Sequence, residues 1–227
     1  MYTRSASADE SASARRAIAA REMDRPYTLA EVEAGFMALP AADVCIKSTT
    51  DCEQGEGSFA AGIHNHYRFG AFSIGAGILW ATTLRSDAAR GADELEREHS
   101  RSYFLVQGQF RYYALRTASW EGWVGGTIGG VVVNDSWSVK ADRDPYVDTD
   151  FVGPRASTLG TEGLSAGIGV GAEWIFRPSW SVGASLRYSN WFFPESPKPL
   201  PLGDPASLSG RVDIIQLTVS LAYRIAL

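Results

Sequence analysis

Two histidines stand two residues apart in the run IHNH, at His64 and His66, so a β-strand here projects both imidazoles from one face. Imidazoles at that spacing can chelate a metal, but a tetrahedral structural site takes four ligands. The third histidine, His99, falls in a distant loop on this reading, so interior histidines satisfied by their neighbours are the expected state. The run KADRDPYVDTD gathers Asp142, Asp144, Asp148 and Asp150, yet it lacks the ligand spacing of a calcium loop and reads as a solvated acidic segment. Nucleophilic catalysis needs a nucleophile, a base and an orienting acid within reach of one another, and the sequence offers no such constellation. The glycine-rich runs GGTIGG (125–130) and GVGAE (169–173) are strand interiors rather than phosphate cradles, because no helix follows either. No catalytic residue, metal or cofactor is therefore assigned.

Seven charged residues form a more coherent group. Glu31, Glu33, Arg68, Arg111, Glu173, Arg187 and Arg224 each lie in an alternating segment, on the face opposite the large apolar side chains. Acids and guanidiniums are nearly balanced among them. Charges that share a narrow interior are expected to pair, since an unpaired buried charge is far costlier than a paired one. Their chemistry is then a structural plug that blocks a continuous water path.

The elements that hold these residues follow from the dominant period of two after Tyr27, which is the mark of strands. Eight segments are expected, at 28–40, 57–68, 71–84, 102–113, 120–133, 164–176, 181–191 and 213–227. The intervening connections alternate in length. Those at 41–56, 85–101, 134–163 and 192–212 are long; those at 69–70, 114–119 and 177–180 are short. In an up-and-down meander all the long ones emerge at one end.

One parity of these segments is apolar, for example Phe72, Ile74, Ala76, Ile78 and Trp80, or Leu164, Ala166, Ile168, Val170, Ala172, Trp174 and Phe176. The other holds the seven charges with Gln107, Gln109 and many glycines. Trp123 and Val131 are exceptions on that polar side. A soluble up-and-down barrel of the lipocalin kind would turn the apolar face inward and carry frequent long charged chains outside. Here the polar face is rich in glycine and poor in lysine, which suits an interior that side chains just fill, as in an eight-stranded barrel. The apolar face is therefore placed against lipid. Aromatics cluster at the ends of the segments, with Trp80 and Trp191 to Phe193 at the long-loop end. Phe72, Tyr112, Tyr113, Trp120, Trp174, Phe176, Trp180 and Tyr223 lie near the short turns, as two boundary girdles would place them.

Bulk properties agree. The 227 residues carry a formal net charge of −5 without a dense basic stripe, so nucleic-acid binding has no support. No apolar run reaches the ~18–20 residues of a membrane-spanning helix, a limit that does not bear on strands. Residues 1–26, rich in Ser, Ala, Arg and Glu, are expected to form a flexible tail ahead of a barrel over 27–227, and contain no secretory signal as they stand. Cys45 and Cys52 flank a short polar loop, where a disulfide would stabilise by roughly 2–3 kcal/mol and fit an oxidising compartment.

With these features together, 27–227 resembles the small OmpA/OmpX-type outer-membrane barrels of Gram-negative bacteria. The closing run VDIIQLTVSLAYRIAL resembles the terminal strand signal of such barrels through Tyr223, Ile225 and Leu227, with Leu227 where the family usually has an aromatic residue. The resemblance implies an all-β fold, an eight-stranded antiparallel up-and-down transmembrane barrel with periplasmic termini and extracellular long loops. It implies a monomer surrounded by outer-membrane lipid and lipopolysaccharide, inserted by the barrel-insertion machinery, with a structural or surface-recognition role toward an extracellular ligand. Narrow porin-like passage of small or hydrophobic solutes is the alternative within that class. The direction of the apolar face is the decisive expectation. A lipid-borne quencher is expected to reach a spin label or fluorophore at Leu217 and to miss one at Thr218; equal access at both would reject it.

Overall fold

Apolar residues at every second position give each segment one oily side, and eight such segments close into a single ring. The computed structural model describes residues 26–45, 52–84, 97–139, 156–196 and 208–226, with backbone alone at 42–45, 52–54, 97–98, 139 and 226. The strands are β1 (Tyr27–Cys45), β2 (Cys52–Phe69), β3 (Phe72–Thr83) and β4 (Arg97–Arg116), followed by β5 (Trp120–Val139), β6 (Ala156–Arg177), β7 (Trp180–Phe192) and β8 (Arg211–Ala226). Each pairs antiparallel with the next, and β1 pairs with β8 from Tyr27↔Ala226 to Ala38↔Ile215. The sheet is a closed barrel.

Most strands outrun their expected bounds at the long-loop end. β1 continues to Cys45 and β2 starts at Cys52, so the first of the four long connections shrinks to 46–51. The remaining long connections run 84–96, 140–155 and 193–210. Cys45 and Cys52, expected in a loop, are backbone register partners at the tips of β1 and β2; their side chains lie outside the described residues. So do residues 1–25 of the expected tail, the Asp142–Asp150 run, most of the Pro-rich run after Phe192, and Leu227. The short turns behave as expected. Phe69 and Phe72 flank a two-residue hairpin whose first residue, Gly70, has φ +56°, the left-handed conformation such turns require.

The faces divide as the alternation demands. Large apolar side chains point outward on every strand, among them Phe36, Ile63, Ile74, Val106, Ile128, Ile168 and Leu186. Leu217 is 56% exposed and its neighbour Thr218 only 2%. The inward side is held by polar groups at the short-turn end and apolar ones further up.

Glycines on the inward face are seats for large rings. A Cβ built at Gly77 would fall onto the His64 imidazole, and one at Gly75 onto the His66 ring. At Gly171 it would lie 2.6 Å from the Trp123 ring. Their abundance thus reflects the narrowness of the interior. Gly77→Ala is expected to lower stability by about 1–3 kcal/mol, the usual range for overpacking, measured by urea titration of the refolded barrel. An unchanged midpoint would show that the His64 ring moves aside at no cost.

Candidate functional site

Inward parity on β1, β2, β4, β5, β6, β7 and β8 converges on a ladder of ion pairs near the short turns. Closest to them, Arg68 binds Glu121 through two parallel hydrogen bonds of 3.0 Å, and also donates to the Tyr27 hydroxyl and the Gly70 carbonyl. Its guanidinium lies 3.5 Å from the centre of the Tyr113 ring. Arg224 donates to the same Glu121 at 2.8 Å. Next, Arg111 holds Glu31 at 2.7 and 3.2 Å, lies 3.7 Å from Glu173, and stacks 4.3 Å from the Trp123 ring centre. Above these, Arg187 grips Glu33 at 2.7 and 2.8 Å. Thr218 and Gln216 also donate to Glu33, and His64 Nε2 lies 2.9 Å from it.

All seven charged residues singled out in the sequence are therefore brought together, and an eighth, Glu121, joins them. The ladder then holds four carboxyl groups, Glu31, Glu33, Glu121 and Glu173, against four guanidiniums, Arg68, Arg111, Arg187 and Arg224, with every guanidinium engaged. Charge-assisted, bidentate contacts of this kind are the strongest and most directional hydrogen bonds available to side chains. The histidines divide. His64 has Gln109 on Nδ1 at 2.9 Å and Glu33 beside Nε2, whereas buried His66 finds no hydrogen-bond partner among the described residues, contrary to the expectation that both are satisfied. Among the described residues no group of three or more His, Cys, Asp or Glu side chains could hold a metal ion.

Above the ladder the interior changes character. Met37, Leu39, Leu79, Tyr103, Leu105 and Val131 pack with Trp191, Phe193 and Leu208 into a continuous apolar layer across the bore. Trp191, expected in the outer girdle, is fully buried and in contact with Tyr103 at 5.3 Å between ring centres. Tyr113 is likewise inside, over Arg68, rather than at the membrane boundary. Inward turning is what their parity requires, since Phe192 and Tyr112 beside them face out.

A second polar cluster caps the apolar layer. Arg101 bridges Glu56 and Asp135, with Nε donating to Asp135 at 2.6 Å, and Tyr103 donates its hydroxyl to Glu56. His99, expected in a loop, lies instead on β4, with Nε2 2.8 Å from Asp135 and its ring stacked on Trp137 at 4.4 Å. No sequence signal places Glu56, His99, Arg101 and Asp135 together, because the alternation does not reveal how far β2, β4 and β5 extend beyond the belt.

The sequence matches no protein-family model and no curated protein. Solved structures do match. Neisserial surface protein A shares 10% identity over 88% of this chain and 97% of its own, with a TM-score of 0.52. A major outer membrane protein from Thermus thermophilus shares 14% identity over 88% of this chain and 99% of its own, with a TM-score of 0.51. The chain has the fold of the small eight-stranded outer-membrane barrels. At these identities the likeness is one of fold, and the interior arrangement described above belongs to this chain's own residues.

The ladder makes a direct prediction. Glu121→Met leaves Arg68 and Arg224 short of an anion and is expected to lower stability by about 3–5 kcal/mol, as breaking a buried pair does. Adding Arg68→Met is expected to restore part of that loss. Additive losses in a urea-unfolding double-mutant cycle would show that the pair is not coupled.

Proposed function

We propose that this chain is a closed outer-membrane barrel with a structural or surface-recognition role, adhesion or ligand contact being made at its long-loop end. The observation that carries this reading is the layered interior. A ladder of ion pairs fills the bore near the short turns, and an apolar layer that includes Trp191 and Phe193 fills it above. Water and ions would have to cross both. A narrow porin-like passage has the apolar layer against it. A soluble ligand-binding barrel has the outward face against it, because Ile128, Leu164 and Ile168 are each more than two-thirds exposed.

The proposed setting is a bacterial outer membrane, with both termini on the periplasmic side and the connections 84–96, 140–155 and 193–210 outside. Between its polar ends β6 turns the alternate residues from Leu164 to Phe176 outward, a span slightly longer than the ~9–11 residues of a tilted membrane strand. Tyr67, Trp120, Trp174 and Tyr223 ring the short-turn end of that belt. Lipid and lipopolysaccharide would surround it, and the β8 strand would serve as the signal for the insertion machinery. No catalytic role is proposed.

Refolded full-length protein in a planar bilayer tests the closed bore. The expected record is free of large steady single-channel currents. Stable, reproducible conductance from the wild-type chain would overturn the plugged reading and favour solute passage.

A further inference from the structure

The outward belt contains one polar side chain that lipid does not explain. Two described amides face outward between the aromatic ends of their strands: Asn190 on β7, which donates to the Tyr188 hydroxyl and to Asp213, and Asn65 on β2. Asn65 is the one without such a partner. Its side chain makes no hydrogen bond with any other described residue. It stands in a groove of about 720 Å³. Register places Ala30 on one side of it and Ala76 on the other, with Gly108 beyond, so the floor around the amide is low. Ile63 and Ile78, paired in the next outward row, line one side of the groove, and Tyr223, the β8 partner of Ala30, lines its end. A second outward groove, over Gly126 and Ile168, is about 530 Å³ and is lined by no amide, so hydrocarbon chains can fill it.

Depth decides what can meet Asn65. Outward side chains along β2 run Phe69, Tyr67, Asn65, Ile63, Ala61, Phe59 from the short turn. With about 3.3 Å per residue and a tilt of about 40°, Asn65 stands roughly 10 Å above Phe69. In an apolar band about 25 Å tall, that is well inside the hydrocarbon. Lipid esters and headgroups lie at the edges of the band and cannot supply a donor or acceptor there. A polar group inside a membrane is costly unless another protein group pairs with it.

We propose that the Asn65 groove is the contact face of a parallel dimer of this chain, in place of the expected monomer. The proposal rests on the membrane reading above. A second copy inserts in the same orientation, so its own Asn65 arrives at the same depth without further adjustment. The carboxamide is self-complementary: each N–H donates to the carbonyl oxygen of the other. Ala30, Ala76 and Gly108 let the two sheets approach, as small residues do between membrane-spanning segments. The opposite side of the belt also has small outward residues, Gly126 and Gly130, but between the bulky Ile128, Leu164 and Ile168 it offers no unpartnered amide.

The test uses the full chain, refolded with one fluorophore per molecule in phospholipid vesicles, and counts bleaching steps as the protein-to-lipid ratio rises. Wild type is expected to pass from one step to two. Asn65→Leu is expected to need about a tenfold higher ratio for the same two-step fraction, within the range measured for single intramembrane hydrogen bonds, and Asn65→Gln to need less of an increase. Heat-modifiable gel mobility checks that each variant is a folded barrel, and Asn65 has no side-chain partner in its own described chain to lose. Independently, a photoreactive side chain at Ile78 is expected to crosslink two copies and one at Ile168 is not. Single-step bleaching of folded wild type at every ratio overturns the dimer while leaving the barrel reading intact. An unchanged Asn65→Leu curve, or equal crosslinking at both positions, overturns the proposed face. Failure of wild type to enter vesicles would instead defeat the membrane reading.

Discussion

The pairing of β1 with β8 is the contact on which everything else in this molecule depends. Hydrocarbon cannot hydrogen-bond a free strand edge, and each unpaired backbone group would be left at a cost of several kcal/mol. Twelve residues of β1, Tyr27 to Ala38, find register partners on β8 and leave no edge within the belt. Once the ring is closed, every strand has one side facing out and one facing a bore of fixed width. The outward side then answers to what surrounds the ring, lipid over most of the belt. The inward side must be filled, and filled without an unpaired charge.

That second demand shapes the composition. Large inward side chains cannot all sit at one level of an eight-stranded ring, so they are interleaved with glycines that receive them: Gly77 under His64, Gly171 under Trp123. The charges follow the same rule. Arg68, Arg111, Arg187 and Arg224 come from four different strands, and each meets a carboxylate from another strand. Each bidentate pair therefore ties strands that are not neighbours in the sheet, such as β2 with β5 through Arg68 and Glu121. Backbone ladders fix only adjacent strands. The ladder of side chains crosses the bore and resists its flattening.

Much of this is legible in the sequence, because the physics of alternation is simple. Strand number, order of short turns, outward face and seven ladder charges all follow from a period of two read against charge. The signal fails where both faces are apolar. In Tyr103-Phe104-Leu105-Val106, Val131-Val132-Val133 and Trp191-Phe192-Phe193 the alternation disappears, and these are the runs that build the apolar layer. Trp191 falls in the outer girdle when it is placed by type rather than by parity. Glu121 escapes notice because it adjoins Trp120 at a strand end and shares a face with Trp123. Beyond the belt, polar residues occupy both sides of the strand extensions, so Glu56, Arg101 and Asp135 carry no pattern at all.

The order of the layers has its own logic. A buried ion pair gains from a dry, low-dielectric setting only when its geometry is well fixed; loosely held, its desolvation exceeds the attraction. The apolar layer supplies that fixity. The Arg187–Glu33 pair lies on the short-turn side of the layer that holds Met37 and Leu105, and Gln216, Thr218 and His64 hold the carboxylate from the sides. In turn, the ladder gives the apolar layer a rigid floor on which Trp191 and Tyr103 can pack. A charged plug alone would invite water from both ends, and an apolar plug alone would leave the strands free to change register. Stacked in this order, each layer removes the weakness of the other, and a bore that could have been a channel becomes a core.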